Sequence, residues 1–225
     1  ATTEIYTLSL HDALPIWERM NFDEWEPYYQ EIVEYFAFDR EMDELAGEIL
    51  SSLMTRDDLP MLRDLCQGRD VTVCGNAPCL ADDIPAVKHP VFAADAAALV
   101  LLDAGIKPDA VFTDLDGATD EFIAMNEAGT IMVIHAHGDN SPLVKYWTPR
   151  FSGPVVATTQ ARPLENVHNF GGFTDGDRAV FAADALGASG ITILGFDLRD
   201  PRVDPMKRGK LSWAEKLLGI LGYEC

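Results

Sequence analysis

Residues 113–117 read Thr-Asp-Leu-Asp-Gly and follow directly on the apolar run Ala110, Val111, Phe112. This places Asp114 and Asp116 at the C-terminal end of a buried strand, with Gly117 to turn the chain. Ligands of open α/β sheets bind at such strand ends. Two carboxylates separated by one residue suit a hard cation and the phosphates it carries. A solvent-facing acidic turn is the competing reading, because Asp and Gly are common turn residues.

Similar polar clusters follow the other apolar runs. Gly75-Asn76-Ala77-Pro78 follows residues 71–74, and Asp95 follows residues 91–93. Residues 135–140 read His-Ala-His-Gly-Asp-Asn, residues 158–160 Thr-Thr-Gln, and residues 195–197 Gly-Phe-Asp. In a parallel sheet all these strand ends share one edge, so an active site explains them together. Asp95, Asp114 and Asp116 are read as holding Mg²⁺, directly or through water. Gly75 and Asn76 lie in a strand-to-helix turn that could cradle a phosphate. A plain turn fits equally well, and the missing G-x-G-x-x-G pattern argues against NAD.

His135 and His137 alternate, so on an extended backbone they point the same way. With Asp139 they could bind a transition metal, contact phosphate oxygens or supply a general base. Beside an Mg²⁺ site, phosphate or substrate contact is preferred. Residues 169–178 read Asn-Phe-Gly-Gly-Phe-Thr-Asp-Gly-Asp-Arg before a helix. Gly171 and Gly172 permit close approach of the backbone to a ligand. Thr174 or Asp175 can cap the helix. Arg178 offers a planar fork to phosphate, against the simpler role of a salt bridge to a neighbouring acid. Phe170 and Phe173 could stack on a heterocycle, but each alone is expected in the core.

The elements that position these residues follow from periodicity. Residues 1–16 resemble translated adapter sequence and are set aside as a non-native leader. Residues 17–65 form a helical segment, in which Trp25, Tyr28, Tyr29, Ile32, Tyr35, Phe36, Leu45, Ile49, Leu50 and Leu53 make an apolar stripe and acids fill the other faces. From residue 66 onward, short apolar strands alternate with helices. That rhythm implies an α/β fold: a Rossmann-like, mostly parallel sheet with helices on both faces, preceded by the small helical N-terminal segment. A last helix is expected over residues 211–221, and the domain, residues 66–225, is read as short of its C-terminal end.

The 225 residues carry a formal net charge of -20. Such a surface opposes sequence-independent binding of nucleic acid or anionic lipid. It suits solubility at high salt, as in a halophile, or an ordinary acidic cytosolic protein. No run approaches the length of a membrane helix. The four cysteines lack C-x-x-C spacing and are read as reduced, in a cytoplasmic chain.

Asp95 and the motifs at residues 113–117, 135–140, 158–160 and 169–178 together resemble the archaeal 6-hydroxymethyl-7,8-dihydropterin pyrophosphokinase family (MptE-like), over about residues 66–213. The first loop departs from the family's frequent G-x-G-P-S-L, having Ala77 and Cys79 in place of Gly and Ser. The resemblance implies transfer of the terminal pyrophosphoryl group of ATP to a reduced pterin, releasing AMP, for methanopterin or folate synthesis. It implies Mg²⁺ on Asp95, Asp114 and Asp116. It gives the catalytic contacts to His135, His137, Asp139 and Arg178. Gly75, Asn76, Asn140, Thr158, Thr159, Gln160, Gly171, Gly172, Asp175 and Asp177 are then expected to contact ATP or pterin. Asn169 and Asp197 are further candidates for the pterin edge, and a homodimer is allowed for.

Three rival readings remain at this level. Asp114 could be the nucleophile of a haloacid-dehalogenase-like phosphatase, although two strands precede it and no lysine has a fitting context. The Asp-x-Asp could hold a nucleotide sugar in a glycosyltransferase. A non-catalytic nucleotide-binding module is the third. None of them gives residues 135–140 and 171–178 a task.

Overall fold

The computed structural model describes residues 20–223, so the expected leader and Cys225 lie outside the described residues. Six strands form one sheet: β1 (Asp70–Cys74), β2 (Val91–Ala94), β3 (Ala110–Thr113), β4 (Ile131–Ala136), β5 (Val155–Thr159) and β6 (Gly190–Leu194). Every pairing is parallel, and the order is β5-β4-β3-β2-β1-β6. The strands β2 to β5 are buried throughout, as expected of apolar runs covered on both faces. Edge strand β6 is only half-buried.

One face packs against α2 (Arg40–Leu53), α5 (Ala97–Asp103), α6 (Asp120–Glu127) and α7 (Ser141–Trp147). The other packs against α3 (Leu59–Cys66), α8 (Asp175–Ala185) and α9 (Pro205–Ile220). A single turn, α4 (Leu80–Asp83), follows β1. The chain therefore builds β1 to β5 outward in one direction, then returns through α8 to set β6 beside β1. Loops leaving β1 and β6 flank a topological switch point, where open α/β sheets form their binding crevice.

The N-terminal segment opens with α1 (Phe22–Phe36) and α2, and α3 closes it. Asn21 and Glu24 form a capping box at the start of α1, and Ala37, left-handed at φ 55°, ends it. Trp25, Tyr29 and Ile32 meet Phe173, Phe181, Trp213 and Leu217 in a satellite core. The expected stripe is corrected in two places. Tyr35 and Leu45 are exposed, and the buried face of α2 includes Asp43, which is only 2% exposed. The helix expected over residues 211–221 starts six residues earlier, because Asp204 caps it by accepting a hydrogen bond from Lys207 N–H (2.9 Å) and Pro205 occupies its first turn. The helix expected after Gly75 and Asn76 is the single turn α4, and α7 was not anticipated.

No helix among the described residues is long and apolar enough to cross a membrane. Cys66, Cys74 and Cys79 are free thiols, and burial pushes Cys66 and Cys74 up to about 12.

Candidate active site

A cavity of about 780 Å³ opens at the C-terminal edge of the sheet, within the size range of small-molecule sites. On its floor, ligand oxygens of Asp95, Asp114 and Asp116 lie within 4.8 Å of one another. The turns after β2 and β3 build this triad. Thr113 Oγ1 donates to Asp95 Oδ1 at 2.7 Å and accepts the Leu115 N–H at 2.8 Å. Asp116 N–H donates to Asp114 Oδ1 at 3.1 Å. Asp95 and Leu115 both take left-handed backbone angles, φ 44° and 74°. Such strain in non-glycine residues collects at functional sites. Gly117 lies in the expected turn, closed by the Ala118 N–H donating to Leu115 O at 3.3 Å, and needs no left-handed angle to make it. Its contribution is room, because a Cβ there would fall 2.1 Å from Asp95 Oδ2.

The electrostatics of the triad are those of crowded carboxylates. Burial and the Asp114 charge raise Asp95. Burial, with Asp114 and Asp95 beside it, pushes Asp116 up to about 6. Burial opposes the charge on Asp114 as well. The His137 hydrogen bond, the Asp116 N–H and the Arg178 charge outweigh it and hold Asp114 well below the usual carboxylate range. Three mutually repelling acidic side chains, fixed by neighbours and open to a cavity, form an oxygen donor set that fits a hard divalent cation.

His137 links the triad to the loop after β4. Its Nε2 lies 3.4 Å from Asp114 Oδ2, and its Nδ1 lies 2.8 Å from Asp139 Oδ1. Asp139 itself is 92% exposed. His135 differs from His137, although the two rings lie 6.1 Å apart. It is 3% exposed, absent from the cavity wall, and its Nδ1 faces Thr158 Oγ1 at 3.0 Å. Thr158 Oγ1 donates to Ile134 O, so the His135 ring presents Nδ1–H to it. Burial, reinforced by Arg178 and His137, pushes His135 well below the usual histidine range. The alternative of a transition metal on His135, His137 and Asp139 is not met. Among the described residues, the one grouping of three metal-ligand atoms in mutual reach is the Asp triad.

Of the residues singled out in the sequence, Gly75, Asn76, Asp95, Asp114, Asp116, His137, Asp139, Gln160, Asp175 and Arg178 line the cavity, as does Asp197. Arg178 reaches both Asp175 Oδ1 and Gln160 Oε1 at 3.3 Å. It is thus an ion-pair partner and a cavity cation at once. Gly75 lets β1 and β6 pass closely, since a Cβ there would meet Gly195 O at 2.7 Å.

Other singled-out residues lie behind the wall. Asn140 Nδ2 donates to Asp114 O (2.8 Å) and His135 O (2.7 Å), tying β3 to β4. Thr159 is buried and accepts the Ala161 N–H. Asp177 is fully buried and spends its oxygens on the Thr174 hydroxyl and the Phe173 and Thr174 N–H groups, closing the capping box of α8. Gly171 and Gly172, both at φ 84°, allow close approach, but to α8 itself. A Cβ on Gly172 would meet Arg178 N at 2.7 Å, and one on Gly171 would meet Phe181.

The sequence reading missed three contributors. Lys207 and Lys210, on the first turns of α9, join Arg178 as the lining cations among the described residues. Their charges oppose the upward shifts of Asp95 and Asp116, respectively. The third is Asp43, which lines the cavity from α2 beside Phe38 and Met42.

Comparison with known proteins follows the same residues. The family model for 6-hydroxymethylpterin diphosphokinase MptE-like proteins matches residues 48–202. The 6-hydroxymethyl-7,8-dihydropterin pyrophosphokinase of Methanothermobacter thermautotrophicus is 35% identical over 222 residues, covering 90% of this chain and 95% of that protein. The protein of the same name from Methanocaldococcus jannaschii is 32% identical, covering 90% and 96%. The one from Pyrococcus furiosus is 38% identical, covering 79% and 78%. The matched segment contains the whole Asp triad, the loop after β4 and Arg178. The chain belongs to the MptE-like 6-hydroxymethylpterin diphosphokinase family.

Proposed function

We propose that the protein transfers the terminal pyrophosphoryl group of ATP to the hydroxymethyl group of 6-hydroxymethyl-7,8-dihydropterin, forming the diphosphate ester and AMP. The observation that carries this reading is the triad of Asp95, Asp114 and Asp116, facing Arg178, Lys207 and Lys210 across one cavity. Acids for a cation and bases for phosphates are what a polyphosphate substrate needs. Membership of the family supplies the acceptor.

In the proposed reaction the pterin hydroxyl oxygen attacks the β-phosphorus. The bond from that phosphorus to the α–β bridging oxygen breaks, and AMP leaves with its electron pair. Mg²⁺ held by Asp95, Asp114 and Asp116 would neutralise the polyphosphate and the leaving group. Arg178, Lys207 and Lys210 bind phosphate oxygens. His137 and Asp139 orient the attacking hydroxyl and receive its proton. The cavity offers apolar surface for two flat heterocycles. Among the apolar lining residues, the Phe38 and Phe173 rings lie 6.3 Å apart, and Pro78, Phe196 and Leu198 line the cavity as well. Free, buried Cys66 and Cys74 suit a reducing, cytoplasmic setting.

The test compares AMP release with and without the reduced pterin, at high salt, in the parent and in Asp114→Asn and Asp116→Asn. Pterin-dependent AMP that is lost in both variants supports the proposal. Phosphate released from simple phosphoesters would favour a phosphatase, and tight nucleotide binding without turnover a binding module.

A further inference from the structure

Asp43 is a nearly buried carboxylate with three donors. Its Oδ1 accepts the Gly138 N–H at 2.7 Å. Its Oδ2 accepts the Tyr29 hydroxyl and Gln160 Nε2, each at 2.7 Å. It thereby joins α1, α2, the loop after β4 and the end of β5 at one point. A carboxylate only accepts, so Gln160 must turn its NH₂ group toward Asp43. The amide oxygen is then left facing Arg178, and Arg178 Nη2 donates to Gln160 Oε1 at 3.3 Å. The backbone of Gln160 cannot drift, because its carbonyl accepts Trp25 Nε1 at 2.8 Å and Asn169 Nδ2 at 3.0 Å. Only the amide can turn. The second contact of Arg178, with Asp175, is also long at 3.3 Å, and its buried Nε makes no hydrogen bond. The direction of the guanidinium therefore depends on which atom Gln160 offers.

We propose that Asp43 is a positioning residue for the phosphate clamp: through the Gln160 amide it fixes the orientation of Arg178. This inference rests on the pyrophosphokinase reading only in giving Arg178 a phosphate to hold. The relay has a defined polarity, running from carboxylate to amide to guanidinium. In Asp43→Asn the new NH₂ group demands an acceptor. Gln160 turns its oxygen to it and presents NH₂ to Arg178, donor against donor. In Gln160→Glu two carboxylates face each other. In the double variant the order is restored. The carboxylate now at position 160 accepts from both the amide at position 43 and Arg178, and the total charge is unchanged.

The experiment measures Mg·ATP affinity by titration calorimetry, and pterin-dependent AMP formation, for the parent, both single variants and the double. Each single variant is expected to weaken Mg·ATP binding about tenfold or more, and the double to recover to within about threefold of the parent. A carboxylate serving only to hold the helices together predicts instead that the double is worse than either single variant. That result, or an Asp43→Asn variant indistinguishable from the parent, overturns the relay. A parent that binds Mg·ATP but turns over no pterin refutes the activity while the binding series still decides the relay. A parent that does not bind Mg·ATP overturns both.

Discussion

The position that a Cβ of residue 117 would take lies 2.1 Å from Asp95 Oδ2, so Gly117 and Asp95 share one space at the floor of the cavity. Asp95 is also held by the Thr113 hydroxyl, so a methyl group at 117 must drive its carboxylate out of the triad. Gly117→Ala is expected to lower kcat by about 10²-fold, the scale of a displacement near 1 Å, and to raise the Mg²⁺ concentration needed for half-activity. Steady-state kinetics against Mg²⁺, with circular dichroism to verify the fold, provide the check. Unchanged Mg²⁺ dependence would remove Asp95 from the site.

Asp116 gives a pH dependence with a definite sign. Its pKa rises from 3.8 to about 6 on folding, so the folded state holds a proton that the unfolded state has released between those values. The resulting stabilisation is complete below 3.8 and is lost as pH rises through 6. Asp116→Asn does not titrate. In chelator, its Tm relative to the parent should therefore climb from about pH 4 to about pH 7, and Mg²⁺ should close the gap by stabilising only the parent. A difference in Tm that is flat with pH contradicts the crowding of the triad.

Lys207 and Lys210 test the cationic side of the cavity. Each is expected to contact phosphate, so Lys207→Gln and Lys210→Gln should each lower kcat/KM for ATP about tenfold, or ~1.4 kcal/mol. Lys207 is exposed and Lys210 half-buried, and Tm should hardly move. Raising the salt concentration should shrink both effects. Kinetics equal to the parent at low salt would exclude them.

His135 and His137 should separate in experiment. His137→Ala is expected to lower kcat by about 10²-fold with little change in Tm, because the ring lines the cavity and touches Asp114. His135→Ala opens a hole between β4 and β5 and is expected to destabilise the fold by ~1–3 kcal/mol. The opposite pattern would reverse the assignment of the two rings.

The strand ends were legible because each apolar run stops at a polar residue or a glycine, and a parallel sheet brings such stops to one edge. Depth was not legible. His135 and His137 share a direction along the strand, yet one ring is sealed beneath the other, which depends on the packing of β5. The tasks of Gly171 and Gly172 also escaped, since sequence cannot say whether a close approach is to a ligand or to the chain's own helix. Lys207 and Lys210 were overlooked because the last helix was expected only from residue 211, although Asp204 followed by Pro205 is a helix-start signal. Asp43 was legible in principle. It stands three residues before Ala46 and seven before Leu50, on the apolar face of α2, where a carboxylate needs partners.

The most direct measurement follows the phosphorus atoms. The protein is given Mg²⁺, reduced hydroxymethylpterin and ATP labelled at the β-phosphate, and the products are separated. The β-label is expected to move to the pterin as a diphosphate, with one AMP formed for each ester. Label recovered in ADP or in free phosphate, with the pterin unmodified, would contradict the pyrophosphoryl transfer.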